Sequence, residues 1–323
     1  MKPDLSRYDL TDAPGRIAFL ADVNGGHRYL EIGVRAGDTF FHVNMPFKIA
    51  VDPCFLFNPE EYPANGVYYL PVTSDVFFQK LRDEDGDCAP LFAACKGKPV
   101  FDIIFIDGLH THEQSLRDFE NSLEFAHDDT LWLLDDTVPC DAYSAIPNFR
   151  VSLYKRKRAG LTGTPWHGDV FKTVFAIHDK YPEFSYCTLL SGNPQTVVWK
   201  AAVSERKKFF SAPSAPANAT YETLLHNAAL LMPVDDGMLP CYIGTTLTPL
   251  DDAPAEAVAR LSRALPSDCE HASTSLTVFD MARLACEPYG ALCKHALKKL
   301  HEEGFAAFAK ALYRYVAKRG QGS

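Results

Sequence analysis

Two short stretches hold the residues best suited to chemistry. "IFIDGLHTHE" places Asp107, His110 and His112 at and just past the end of one apolar run, and "LWLLDDT" places Asp135 and Asp136 at the end of another. If the two runs are neighbouring parallel strands, they end on the same edge about 5 Å apart, and three carboxylates converge there. Carboxylates that close repel, so either one takes up a proton or a cation neutralises them. A hard divalent ion with oxygen ligands, Mg²⁺ first, is the economical answer, with Asp107, Asp135 and Asp136 as its ligands. The competing reading is that these acids only cap helices or bind backbone amides. His110 and His112 match the H-x-H start of binuclear zinc hydrolase sites, but the following "EQS" lacks the Asp-His that such sites need.

A third stretch, "YLEIGVRAGDTF", ends an apolar run in Glu31 and follows it with Gly33 and Gly37. A strand that ends in such a turn brings backbone close to a ligand, because glycine neither blocks approach nor forbids positive φ. The dinucleotide fingerprint G-x-G-x-x-G would need a second glycine where Arg35 stands, so the spacing speaks against a pyrophosphate. "KIAVDP" supplies Asp52 at the end of the next apolar run, where an acid can accept hydrogen bonds from both hydroxyls of an unphosphorylated ribose. The alternative is a tight connection with Asp52 capping a turn.

These residues need a scaffold that brings several strand ends to one edge. Apolar runs predict strands at Tyr29–Ile32, Lys48–Val51, Val67–Leu70, Phe101–Ile106 and Leu131–Leu134, as expected for parallel strands buried on both faces. Between the last two, "EQSLRDFENSLEFA" carries Leu116, Phe119, Leu123 and Phe125 or Ala126 near helical spacing, which predicts a helix from Glu113 to Ala126. Phe184–Leu190 and Thr196–Lys200 flank Gly192-Asn193-Pro194 and read as a hairpin. The expected fold is α/β: a doubly wound, Rossmann-like seven-stranded sheet, mostly parallel with a terminal antiparallel hairpin. Asp169 is expected to be the N-cap of a helix "VFKTVFAIHDKY". The texture predicts a first domain over residues 1–203, a Ser, Ala and Pro-rich linker over 204–220, and a mainly helical region over 221–323. That last region is read as a cap or as a surface for homo-oligomerisation.

Taken in order, "YLEIGVRAGDT", "IAVDP", "FDIIFIDGLHTHEQSLRDFENSL" and "LWLLDDTVP" resemble the successive motifs of class I S-adenosylmethionine-dependent methyltransferases. The ensemble is similar to the subgroup of metal-dependent macrolide sugar O-methyltransferases and cephalosporin-biosynthesis methyltransferases, over roughly residues 15 to 200. The resemblance implies that Glu31, Gly33 and Gly37 line the methionine part of the cofactor, that Asp52 holds the ribose, and that Ser74 or Asp75 lies near the adenine. It also implies a cofactor-side role for Asp107, and a metal held by Asp107 and the acidic pair Asp135-Asp136. This chain has Asp-Asp where the subgroup carries Glu-Asp.

Methyl transfer asks mainly for alignment of the acceptor oxygen, methyl carbon and sulfur, together with removal of the acceptor's proton. A neutral histidine is matched to that task near pH 7. His110 is the first candidate base because it follows Asp107 by three residues, and His167 in "TPWHGDVFK" is the second. The expected activity is methyl transfer to oxygen of a hydroxylated small molecule or sugar, assisted by Mg²⁺. Two rival readings are a binding or regulatory module without chemistry and a nucleotide-linked oxidoreductase on the same sheet.

Composition bounds the partners. The chain has 323 residues, formal charge -9 and scattered basic residues, which argues against nucleic acid. Nine cysteines form no C-x-x-C pair and no apolar stretch approaches the ~18 residues of a membrane span, so a cytoplasmic protein is expected. In that compartment the sequon at Asn218 carries no sugar.

Overall fold

The computed structural model describes residues 4–201, 206–212 and 215–266. Five strands, β1 (Arg28–Ile32), β2 (Phe47–Val51), β3 (Val67–Leu70), β4 (Phe101–Ile106) and β5 (Ala126–Leu134), run parallel. β6 (Phe184–Leu189) and β7 (Gln195–Lys200) form an antiparallel hairpin, and β7 pairs antiparallel with β5. A two-residue β8 (Pro233–Val234) pairs parallel with β6, so the sheet order is β3-β2-β1-β4-β5-β7-β6-β8. The doubly wound sheet is as expected, but it has eight strands, not seven. A two-residue strand carries no periodicity to read. It exists because the open edge of β6 offers Thr188 and Leu189 as partners, and Thr188 donates its backbone N–H to the Met232 carbonyl.

The α-helices that precede β6 are α1 (Ala13–Asn24), α2 (Ser74–Arg82), α3 (Ala89–Cys95), α4 (His112–Ser122), α5 (Phe149–Arg158) and α6 (Phe171–Lys180). Thr111 caps α4 by accepting the Gln114 N–H, and the helix stops before Ala126, which begins β5. The apolar spacing carries on through a single 3-10 turn, Leu123–Phe125, where Phe125 is still buried. Between α4 and the sheet, Phe119, Trp132 and Phe184 pack edge to face, and the Trp132 indole donates to Ser122 Oγ at 2.8 Å.

Residues Leu224 to Leu265 contribute Leu230, Leu231, Val234, Leu239 and Leu261 to the same hydrophobic core as the strands. The expected helical tail beyond residue 266, and with it the oligomerisation surface, lies outside the described residues. No helix among the described residues is long and apolar enough to cross a membrane.

Arg16 on α1 is fully buried and ties that helix to the β6–β7 turn. Its guanidinium donates to the carbonyls of Leu10 (2.7 Å), Ser191 (2.6 Å) and Asn193, and to Gln195 Oε1 (2.8 Å). Replacing it with an apolar side chain strands these acceptors away from water. Arg16→Met is expected to lower the unfolding free energy by about 3 kcal/mol in urea titrations. Wild-type stability in that variant would contradict the clasp.

Candidate functional site

The strand order reverses between β1 and β4, and a cavity of about 690 Å³ opens there, at the carboxyl ends of the parallel strands. Its walls come from successive strand ends: Glu31 to Arg35 after β1, Asp52 and Pro53 after β2, Thr73 to Asp75 at the start of α2, Asp107 to His110 after β4, and Asp135 and Asp136 after β5. That size is in the range of small-molecule and cofactor sites.

The turn after β1 is held by close backbone packing. Gly33 has φ +91° and donates to the Val51 carbonyl at 2.9 Å, and a Cβ on it would fall 1.9 Å from the Asp107 carbonyl oxygen. Any side chain there would push β1 and β4 apart at their ends. Gly37, also at positive φ, closes the turn through a 2.7 Å bond to the Val34 carbonyl, but it does not reach the cavity wall. Glu31 lies inside, 1% exposed, and accepts from the Tyr29 hydroxyl at 2.5 Å. Burial raises its carboxyl well above the ordinary range. Asp52 accepts the backbone N–H groups of Arg35 (2.8 Å) and Cys54 (2.7 Å), which fixes the carboxylate and leaves a lone pair on each oxygen for a ligand.

The acidic group after β4 and β5 is arranged by one residue of backbone. Asp136 adopts left-handed φ +57°, which sends the neighbouring carboxylates in different directions. Asp136 Oδ2 meets His110 Nδ1 at 2.7 Å, while Asp135 Oδ1 accepts from Asn193 Nδ2 at 2.8 Å and from its neighbour's N–H at 2.8 Å. Asp107 Oδ1 lies 3.5 Å from His110 Nε2. One ligand atom each from Asp107, His110 and Asp136 lies within 4.8 Å of the others, a donor set suited to a divalent cation. Burial first, then the nearby Asp136, pushes the Asp107 carboxyl up to about 6. Burial, then Asp107 and Asp136, also raises Asp135. For His110, burial acts against the charged ring, but bonds to Asp107 and Asp136 outweigh it and lift the imidazole to about 11. In this arrangement the imidazolium is the cation that balances the carboxylates.

The loop between α5 and α6 folds over this cluster. Trp166 stacks on His110 at 4.7 Å between centroids, and its carbonyl also lies 2.8 Å from His110 Nδ1. Gly168, at φ +59°, permits the approach, since a Cβ there would fall 1.6 Å from the His110 carbonyl oxygen. His167 sits in the same loop but off the cavity wall, its Nδ1 buried without a partner among the described residues, and burial lowers its pKa. His112 is buried at the α4–α6 contact beside Thr173, and burial lowers it to about 4. Asp169 is not the cap of α6, which begins without a side-chain cap. It accepts the His112 N–H at 2.7 Å and pairs with Lys172 at 2.9 Å, because the loop turns it toward the start of α4.

At the other end of the cavity, Ser74 and Asp75 face Gln114 of α4, a wall residue that the sequence reading passes over. Helical spacing puts Gln114 one turn before Asp118, and the capped start of α4 puts both beside the β4 rim, so the signal lay in the helix phase. Asp118 is 1% exposed, and its Oδ2 has no hydrogen-bond partner among the described residues.

The fold with this site is that of a Rossmann-like α/β domain with a cofactor-sized cavity at the point where the strand order reverses. Residues 30–137 match the family model described as "Methyltransferase domain". Among solved structures, the chain is similar to the O-methyltransferase from Bacillus cereus in complex with SAH, at 15% identity, TM-score 0.39, covering 61% of this chain and 86% of that one. It is also similar to the O-methyltransferase TomG from Streptomyces achromogenes, with 13% identity, TM-score 0.37 and coverage of 59% and 82%. For MycE of the mycinamycin biosynthetic pathway, in complex with Mg and SAH, the figures are 14%, 0.36, and 64% of this chain against 56% of that one. No curated protein matches the chain significantly.

Two outcomes follow from this geometry. Burial pushes the Asp118 carboxyl up to about 6, so its contribution to stability is intact below about pH 4 and is lost as pH rises through 6. Asp118→Asn, which carries no charge to bury, should therefore gain on wild type between pH 4.5 and 7.5 by about 2 kcal/mol in urea unfolding. An equal difference at both pH values would show that Asp118 stays neutral or stays ionised throughout. Gly33→Ala should separate the ends of β1 and β4 and lower the unfolding free energy by about 2 kcal/mol or more in urea titrations, and unchanged stability would mean that the two strand ends are not in close contact there.

Proposed function

We propose that this domain transfers a methyl group from S-adenosylmethionine to a hydroxyl oxygen of a small molecule or sugar, with Mg²⁺ at the acidic cluster. The observation that carries the reading is the meeting of Asp107, Asp136 and His110 at the rim of a cavity whose other walls are the glycine turn and Asp52. In the reaction the oxygen–carbon bond forms as the carbon–sulfur bond breaks, S-adenosylhomocysteine leaves, and the hydroxyl proton passes to a base.

The chain's own residues divide the work. Glu31 and Gly33 line the seat of the methionine part and Gly37 closes the turn behind it, Asp52 takes the ribose hydroxyls on its free lone pairs, and Ser74 and Asp75 bound the seat of the base. Asp107 and Asp136, with Asp135 beside them, supply the negative charge that holds a divalent cation, and Asp107 also borders the donor. Such a cation, when bound, lowers the pKa of a hydroxyl placed on it. His110 is the first candidate base. It holds a proton while it alone balances Asp107 and Asp136, and it becomes an acceptor only when other positive charge takes over that balance. His167, kept neutral by burial, is the second candidate. Trp166 and the loop behind it cover His110 and limit access of water from that side.

Calorimetry tests the assignment. S-adenosylhomocysteine is expected to bind and NAD⁺ is not, and the reverse result would favour an oxidoreductase. MgCl₂ is expected to bind the wild type and to lose at least about tenfold in affinity in Asp136→Asn. The same titration should weaken as pH falls through about 6, where Asp107 takes up a proton that competes with the cation. A magnesium affinity indifferent both to Asp136 and to pH would remove the metal from the mechanism.

A further inference from the structure

Gln114 stands on the first turn of α4 and lines the cavity on the side away from β5. Its Nε2 is surrounded by three acceptor oxygens: Asp118 Oδ1 at 2.9 Å, Ser74 Oγ at 3.2 Å and Asp75 Oδ1 at 3.4 Å. These neighbours decide which way the amide faces, since the reversed amide would set its carbonyl oxygen against two carboxyl groups. The Gln114 Oε1 is thereby fixed as the free end. It accepts no hydrogen bond among the described residues, and it is not among the atoms sealed away from solvent.

The place of this oxygen in the cavity suggests its partner. The acidic cluster lies at the ends of β4 and β5, whereas Asp52 follows β2 and the segment Thr73 to Asp75 follows β3, toward the opposite edge of the sheet. A donor molecule with its sulfur facing the cluster and its ribose on Asp52 therefore directs its base toward α2 and the first turn of α4. A rigid acceptor oxygen there matches a base that presents an N–H donor and opposes one that presents a carbonyl.

We propose that Gln114 is the specificity residue for the base: its Oε1 accepts a hydrogen bond from the 6-amino group of adenine and so selects an adenosyl donor over the 6-oxo purine counterpart. Asp118, Ser74 and Asp75 act by holding the amide in that orientation. The inference rests on the S-adenosylmethionine reading above. A 6-oxo base would bring two acceptors face to face, a mismatch that corresponds to about 10- to 100-fold in affinity.

Calorimetry with S-adenosylhomocysteine and S-inosylhomocysteine, on wild type and on Gln114→Met, tests it. The wild type is expected to prefer the adenosyl ligand at least about tenfold, and the variant to bring that preference below about threefold, mainly by weakening the adenosyl ligand. Circular dichroism and the unfolding midpoint of Gln114→Met establish that the comparison is made on folded protein. Full selectivity retained in the variant, or equal losses for the two ligands, would overturn the assignment of Gln114 while leaving the methyl-donor reading intact. If wild type binds neither ligand, the methyl-donor reading itself falls and takes this inference with it.

Discussion

Negative charge crowded at one edge of a sheet is the constraint on which this structure turns. Parallel strands all present their carboxyl ends on the same side, so β1, β2, β4 and β5 deliver Glu31, Asp52, Asp107, Asp135 and Asp136 to one cavity. Each acid needs compensation, and the means differ. Asp52 has two backbone N–H groups, Glu31 has the Tyr29 hydroxyl, and Asp135 has the Asn193 amide. Asp107 and Asp136 share a titratable partner, His110, and this is the place where an incoming cation can exchange with a proton.

The rest of the architecture keeps that balance in place. Arg16 binds the carbonyls of the β6–β7 turn, and Asn193 in that turn reaches Asp135, so a fully buried cation on α1 is linked to the acidic rim through one hydrogen-bonded residue. On the opposite side, the Trp166–Gly168 loop packs against the His110 backbone as well as its ring. His110 is thus held between two carboxylates and an aromatic face, and its position is set by packing as much as by charge.

The strand ends were legible because fully buried parallel strands leave an apolar run of the right length, and Phe101–Ile106 and Val67–Leu70 start and stop where that run does. β8 was not legible, since two residues have no period, and its pairing depends on what the β6 edge leaves open. Asp169 shows a different limit. Its position before a helical stretch is a sound capping signal, yet the loop spends its carboxylate on the start of another helix 57 residues earlier in the chain.

By itself the sequence determined which groups arrive at the site: the glycine turn with Glu31, the acid after the second strand, and the acids and histidine after the fourth and fifth, because strand periodicity and turn chemistry are local properties of the chain. Tertiary structure alone decided how those groups face one another. The left-handed backbone at Asp136 aims it at His110 and leaves Asp135 to Asn193, the α5–α6 loop keeps His167 off the cavity wall, and three oxygens from two helices orient Gln114. Orientation of this kind is set by long-range contacts and by the low-dielectric surroundings they create, which residue types and their spacing do not encode.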